Sequence, residues 1–306
     1  MINNEYLVSR FDKAVMLLPQ ELRKSLCALT SVQKAQTEEI RLRVGFPLTV
    51  VCDGVETAVC QALINTAHIM SLLEIATLAS PYSAADAMNS GYITARGGFR
   101  IGLGGSVATE NGRICSWRGF SSAAIRISRE IIGCADEVLK SLSSLGRSGS
   151  LLVISPPGCG KTTLLRDIVR QLSGGNAALG IIGKRVGLCD ERSEIAAMYS
   201  GRAQFDLGCR TDIIDACPKA EAAIMLLRGM NPEIIVMDEV TAPEDVCAIE
   251  KSANCGVGII ATAHAGGIGD LSSRPLYLRL LNTGVFSGVV IISRAGERRE
   301  YKVVSL

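Results

Sequence analysis

Ser155-Pro156-Pro157-Gly158-Cys159-Gly160-Lys161-Thr162-Thr163 is the stretch whose residue types and spacing point most directly to chemistry. It follows the apolar run 151–154 and precedes a helical pattern, the setting a phosphate-binding loop needs. Glycines let backbone amides turn inward around phosphates, and the start of a helix adds a dipole that favours anions. Lys161 is placed to reach the β- and γ-phosphates of ATP, and the Thr162 hydroxyl to hold Mg²⁺. Pro157, Gly158, Cys159, Gly160 and Thr163 complete the cradle. One position departs from the GxxxxGK[ST] pattern: its first glycine is Ser155 here. That position enters the loop and tolerates small residues.

Further along, Glu233-Ile234-Ile235-Val236-Met237-Asp238-Glu239 reads as an apolar strand ending in two acids. Asp238 at the strand end suits Mg²⁺, directly or through water, and Glu239 is the natural base for a water attacking the γ-phosphate. Cys189-Asp190-Glu191-Arg192-Ser193-Glu194 closes another strand between these motifs. Strand C-terminal ends face the ligand crevice of such sheets. Its acids and Arg192 thus either reach metal, water or a neighbouring subunit, or form a salt-bridged loop. His264 ends the run 258–263 and is either a sensor of the γ-phosphate or a satisfied core histidine; His68 reads as structural. Leu172-Ser173-Gly174-Gly175 spells the signature of ABC transporters, but it directly follows the phosphate-loop helix and reads as a glycine cap.

These residues need a scaffold, and from about residue 130 strands and helices alternate. Helix 130–145 leads through Gly146 to Gly149 into strand 151–154. Then come helix 161–173, strand 186–189, helix 218–229, strand 234–237, helix 243–254, strand 257–262 and a final β pair near 286–293 and 300–304. Such alternation implies a largely parallel sheet covered on both faces. The first third reads as an α+β module. It has a helical pattern over 4–30, a half-exposed strand 39–43, a second strand to Cys52, and a hairpin turn at Asp53-Gly54. Helices at about 65–79 and 83–90 precede glycine-punctuated β sequence, with tight turns at Gly97-Gly98 and Asn111-Gly112. Arg41, Arg43, Arg96, Arg100, Arg126 and Arg129 cluster in this module. Without aromatic platforms they read as a solvated strand face rather than a nucleic-acid surface. The sharper alternative is an arginine finger acting in trans. Its candidates are Arg100, Arg126, Arg129, Arg192 and Arg210, with Arg126 and Arg129 favoured for lying near the junction of the two modules.

Bulk composition bounds the rest. The chain has 306 residues, enough for about two domains. With 48% hydrophobic and 20% charged residues it is no disordered chain. Lys and Arg exceed Asp and Glu by a net charge of only +2, which removes the argument for bulk attraction to nucleic acid or membrane. Eleven cysteines, an odd number without a CxxC pair and with only two histidines, argue against a disulfide framework or a zinc site and for a reducing compartment. The first eighteen residues carry Glu5, Arg10, Asp12 and Lys13 and read as no signal peptide. No segment has the density of a membrane span, so the chain is expected to be soluble.

Together the motifs resemble a known family. Glu39-Ile40-Arg41-Leu42-Arg43-Val44-Gly45-Phe46-Pro47-Leu48, Ser80-Pro81-Tyr82-Ser83, Gly91-Tyr92-Ile93-Thr94 and Gly97-Gly98-Phe99-Arg100-Ile101-Gly102-Leu103 carry the resemblance in the first module. Asp190-Glu191-Arg192-Ser193-Glu194-Ile195-Ala196, Arg210-Thr211-Asp212 and Cys217-Pro218-Lys219-Ala220 continue it. Over nearly its full length the chain is similar to the stage III sporulation AA proteins of endospore-forming bacteria, relatives of the type II/IV secretion ATPases. The resemblance implies an α/β fold, with a RecA-like P-loop NTPase domain (131–306) preceded by a smaller α+β domain (1–130). It further implies a homo-oligomeric ring, a hexamer, on the cytoplasmic mother-cell side of the channel to the forespore. There it would act with membrane proteins of the same operon, peripherally attached through them. Secretion ATPases carry an acidic box and a His box, which Asp190-Glu191 and His264 match loosely. Thr241 stands where a glycine would follow the Asp-Glu pair.

The resulting expectation is a Mg²⁺-dependent ATP hydrolase that turns hydrolysis into subunit motion. Its catalytic groups are Lys161, Glu239, His264 and Arg192, and its metal is held by Thr162 and Asp238, with no stable nucleic-acid partner. The alternatives are a RecA-like motor on single-stranded nucleic acid and an ATP-gated scaffold without turnover.

Overall fold

The computed structural model describes residues 4–78, 88–110, 113–144, 150–295 and 298–306. The Ser80-Pro81-Tyr82-Ser83 run, most of the helix read at 83–90, the Asn111-Gly112 turn and the stretch Gly146 to Gly149 lie outside the described residues. The chain divides into two compact units, Met1–Arg129 with Ala197–Gln204, and Glu130–Ala196 with Phe205–Leu306. The excursion Ala197–Gln204 was not anticipated from sequence. Within the first unit its Tyr199 hydroxyl donates to Ala76 O (3.3 Å), and its Gln204 Oε1 accepts from Gly97 N (2.7 Å).

The first unit opens with helices α1 (Asn4–Val15), α2 (Gln20–Cys27) and α3 (Ser31–Gln36), and α4 (Thr66–Ala76) follows later. The single helical pattern read over 4–30 is broken at Pro19, which lacks an amide hydrogen and bars its predecessor from the helical region. Arg23 gathers the carbonyls left at the break, donating to Leu18 O (2.7 Å) and Met16 O (3.1 Å). Six strands form one antiparallel sheet: β1 (Thr37–Arg43), β2 (Pro47–Cys52), β3 (Val55–Leu63), β4 (Tyr92–Ala95), β5 (Phe99–Glu110) and β6 (Arg113–Arg126). Their order is β3-β2-β1-β6-β5-β4. Along β1, Ile40 and Leu42 are fully buried while Arg41 and Arg43 are not, the period of two of a half-covered strand. At the β2–β3 hairpin Cys52 pairs with Val55 around Asp53 and Gly54, both with positive φ, as a tight hairpin turn requires. Phe11 and Leu26 from the helices, and Leu18 from the break between α1 and α2, pack with Ile40, Leu42, Leu48 and Ile101 of the sheet as one core.

The second unit runs α5 (Asp136–Ser144), β7 (Leu151–Ser155), α6 (Lys161–Gly174), β8 (Val186–Asp190), β9 (Thr211–Asp215), α7 (Lys219–Gly229), β10 (Ile234–Met237), α8 (Pro243–Asn254) and β11 (Gly258–His264). It ends with α9 (Ile268–Ser273), α10 (Pro275–Asn282), β12 (Gly288–Ala295) and β13 (Arg298–Ser305). The seven strands are ordered β13-β12-β7-β11-β10-β8-β9, all parallel except β13, which is antiparallel to β12. β7, β8 and β10 are buried along their whole length, which explains their uninterrupted apolar runs. Three differences from the sequence reading have local causes. The helix read from 130 starts at Asp136, because Gly133 takes a left-handed φ of +82°. β9 is an edge strand with only two apolar residues, Ile213 and Ile214, too few to signal a strand. α9 and α10 lie in a Gly- and Ser-punctuated stretch that hides their periodicity.

Candidate active site

β7 delivers the phosphate loop, and α6 begins at Lys161 directly behind it. Gly158 (φ +75°) and Gly160 (φ +94°) adopt the left-handed backbone that only glycine takes without strain. The first amides of α6 have no partners inside the helix and face outward for an anion. Lys161 is 6% exposed. Its Nζ donates to Ser155 O (3.2 Å), Ser155 Oγ (3.3 Å) and His264 Nδ1 (2.8 Å). The serine that breaks the loop pattern thus supplies a lone pair to the lysine. His264 reaches the loop because β11 runs parallel to β7 with His264 directly opposite Ser155.

The chain of contacts continues from the histidine. With the Lys161 ammonium donating to Nδ1, the imidazole carries its proton on Nε2 and donates it to Glu239 Oε1 at 2.6 Å. The other carboxylate oxygen, Oε2, pairs with Arg192 Nη1 at 2.9 Å. Both oxygens of the proposed base are therefore engaged, one through an imidazole tied to the lysine and one by a guanidinium from the loop after β8. Glu239 also holds a left-handed φ of +45°, a conformation costing about 1–2 kcal/mol for a residue with a Cβ. Thr262 stabilises it: its Oγ1 accepts from Glu239 N (2.8 Å) and donates to Asp238 Oδ1 (2.5 Å). One hydroxyl thus fixes both acids. Thr262 was missed in the sequence, yet a signal existed, since it is a lone hydroxyl in an apolar strand and shares a strand face with His264 two residues on.

Burial works against both charges of the site. It pushes Lys161 below the usual ammonium range, opposed by the fields of Glu239 and Asp238. It pushes Asp238 above the usual carboxylate range, opposed by the Thr262 hydrogen bond. The donor set fits Mg²⁺. This hard cation takes oxygen ligands, and among the described residues Asp238 Oδ2 and the Thr162 hydroxyl have no protein partner.

Of the two readings left open for the acidic loop, the contacts of Asp190 and Glu191 lie nearer to the one that bonds the acids within the fold. Asp190 is buried and turned onto its own loop, accepting from the amides of Glu194 (2.9 Å), Ile195 (3.1 Å) and Ala196 (2.8 Å). Burial raises its pKa to about 6 against the pull of those amides. Arg166 of α6 binds the same loop from the other side, donating to Ile195 O (2.8 Å) and Glu194 O (2.7 Å), and lies over Phe205. Glu191 pairs with Lys219 at 2.5 Å. Of this run, Arg192 alone contacts Glu239 among the contacts described.

The candidate fingers separate equally clearly. Arg210 is bound to the end of α6, its backbone amide donating to Ser173 Oγ (2.7 Å) and its Nη1 to Ser173 O (3.0 Å). Arg129 donates to Ala35 O (2.8 Å) and Thr37 O (2.7 Å) and anchors α3 to β1. Arg100 lies 3.7 Å from the Tyr92 ring centroid. Arg126, with a 68% exposed side chain, makes only a 3.8 Å approach to Glu39. The Ser173-Gly174-Gly175 stretch caps α6, with Gly175 N donating to Gln171 O.

A family profile described as "Sporulation stage III, protein AA" matches residues 9–304. The stage III sporulation protein AA of Bacillus subtilis (strain 168) is 36% identical over 280 residues, which cover 91% of this chain and 90% of that protein. Among solved structures, the ATPase DotB of Yersinia pseudotuberculosis superposes with a TM-score of 0.62 at 13% identity, covering 94% of this chain and 80% of that one. The pilus retraction motor PilT with bound ADP superposes with a TM-score of 0.59 at 16% identity, covering 88% and 79%. At such identities these likenesses concern the fold: an α/β, RecA-like P-loop ATPase architecture.

Proposed function

Because the chain belongs to the Sporulation stage III, protein AA family and shares the fold of bacterial secretion ATPases, we propose that it is a Mg²⁺-dependent ATP hydrolase. The observation that carries this reading is the chain Lys161–His264–Glu239–Arg192, which ties the phosphate loop to an acid suited to activate water. Lys161 and the loop amides would hold the phosphates, and Thr162 and Asp238 would hold the metal, which would supply charge neutralisation there. Glu239 orients and deprotonates the attacking water. Glu239 is clamped by His264 and Arg192. A γ-phosphate competes for Lys161 and Arg192 and thereby releases the base. The turnover drives motion within a ring of identical subunits, peripheral to membrane proteins of a sporulation channel on the mother-cell side. Among the described residues no helix is long and apolar enough to cross a membrane. If the ring supplies an arginine in trans, Arg126 is the candidate, exposed and held only by a 3.8 Å approach to Glu39.

The test is nucleotide binding and phosphate release by the purified chain, wild type beside Lys161→Ala. Removing the lysine that reaches the β/γ-phosphates is expected to abolish measurable ATP binding in the folded protein. Undiminished ATP affinity in the mutant would overturn the site. Solution mass with and without Mg²⁺-ATP tests the ring, and turnover per subunit that stays constant on dilution to monomer would remove the trans arginine.

A further inference from the structure

Arg299 lies on the edge strand β13, opposite Arg294 of β12. Its guanidinium rests on the phosphate loop. A Cβ placed on Gly160 would fall 2.7 Å from Arg299 Cζ, 2.8 Å from Nε and 3.0 Å from Nη1. Gly160 therefore answers two demands at once, a left-handed backbone and the close approach of a flat cation. Tyr301, two residues along the same face of β13, lies within the field of Arg299. Cys134 borders the same spot, its Sγ donating to Thr163 O (3.8 Å) and its thiol feeling the Arg299 charge. The C-terminal hairpin and the segment before α5 thus both reach the first turn of α6. Among the described residues no carboxylate forms an ion pair with Arg299, so its charge is not already neutralised by the fold.

We propose that Arg299 is a phosphate ligand supplied in cis, which adds positive charge at the α/β-phosphate end of the bound nucleotide. This rests on the nucleotide-site reading given above. The α/β assignment follows from the loop's construction: its backbone surrounds the α- and β-phosphates, whereas the lysine side chain reaches toward the γ-phosphate. A cation laid on the backbone of Gly160 serves the phosphates that ADP and ATP share. A guanidinium is suited to this role because its planar fork can lie on the peptide and still direct N–H groups at oxygen. Arg299 therefore differs from an arginine finger, which touches the transferred phosphate and acts on turnover.

The experiment titrates the full chain with MgADP, MgATP and adenosine at low and high salt, in wild type, Arg299→Ala, Arg299→Lys and Lys161→Ala. The proposal expects Arg299→Ala to weaken MgADP and MgATP alike by about 10- to 100-fold, the range of one charge-assisted hydrogen bond. The weakening should diminish in high salt, and in turnover assays it should fall on KM more than on kcat. Arg299→Lys should recover part of the affinity, since it returns the charge without the fork. Wild-type ADP affinity in folded Arg299→Ala would overturn the proposal, as would a loss that extends equally to adenosine, which carries no phosphate. A lowered melting temperature with unchanged ADP affinity would identify a packing role and also overturn it. If Lys161→Ala loses ADP while Arg299→Ala keeps it, this inference alone fails. If wild type binds no nucleotide, the site reading fails with it.

Discussion

In the first unit charged side chains pair sideways. Arg41 meets Glu39 on its own strand, Arg43 of β1 meets Glu56 of β3, and Arg126 of β6 approaches Glu39. In the second unit Lys161, Arg192, Glu239 and His264 follow four different strands, β7, β8, β10 and β11, yet form one connected chain. Strand direction separates the two outcomes. A parallel sheet puts the C-terminal ends of its strands on one edge, so residues distant in sequence converge there. An antiparallel sheet alternates its ends, and charges on its open face find neighbours along their own strand or across the sheet. One arrangement concentrates partly desolvated groups; the other spreads screened ones.

The comparison breaks most visibly at Glu239. If the convergent edge is a catalytic site, Glu239→Gln should bind ATP as wild type does and hydrolyse it about 10²- to 10⁴-fold more slowly, the usual range for a lost general base. Phosphate release under saturating ATP measures it, and full turnover in the mutant would leave the cluster a structural network.

A second test asks whether every arginine of the first unit is as dispensable as its surface pairs. Arg129 should not be, because it serves two backbone carbonyls, one on α3 and one on β1. Arg129→Ala should cost about 2–4 kcal/mol in denaturant unfolding, since hydrogen bonds from a charged donor contribute roughly 1.5–3 kcal/mol each and are not fully additive. A cost within about 0.5 kcal/mol, typical of an ordinary surface substitution, would make Arg129 one more solvated charge.

Much of this was legible in the sequence, and the illegible part has a common cause. Lys161, Asp238 and Glu239 announce themselves because their roles depend on local context, a strand followed by a loop or an acid pair. Parallel pairing could be read from alternation, but register could not, and register is what sets His264 beside Ser155. Arg299 gave no signal, because its approach to Gly160 depends on a hairpin 139 residues away in sequence (299 against 160). Asp190 stayed undecided for a different reason. Its position at a strand end suggested an outward role, whereas three successive amides of its own loop turned it inward.

Asp190 gives the third prediction, and its sign is unusual for an acid. Its pKa lies near 3.8 unfolded and about 6 folded. Between those values the folded state holds a proton that the unfolded state has lost, so stability falls as pH rises through that window and is level above it. In Asp190→Asn this slope should vanish, and the difference in unfolding free energy between the two proteins should change by about 1–3 kcal/mol across the window. A difference that changes in the opposite direction across the window would mean that the amides, not burial, govern the carboxyl, and a pH-independent one that the two cancel.

The smallest effect belongs to Glu56 and carries the opposite sign. Arg43 and then Thr49, whose hydroxyl donates to Glu56 Oε1 at 2.6 Å, hold its pKa down at about 2 from an ordinary 4.5. The unfolded chain therefore takes up the proton first as pH falls. The stabilisation is complete above about 4.5 and is lost on descending toward 2. Side chains of 38% and 35% exposure leave the pair largely to water, so its contribution is at most about 1 kcal/mol. Glu56→Gln should accordingly lie within about 1 kcal/mol of wild type near neutrality, with the gap closing in acid and shrinking in high salt. Denaturant titrations at several pH values read both trends. A gap that widens in acid, or that ignores salt, would place Glu56 among groups governed by burial, as Asp190 is, and would erase the distinction between an open sheet face and a convergent strand edge.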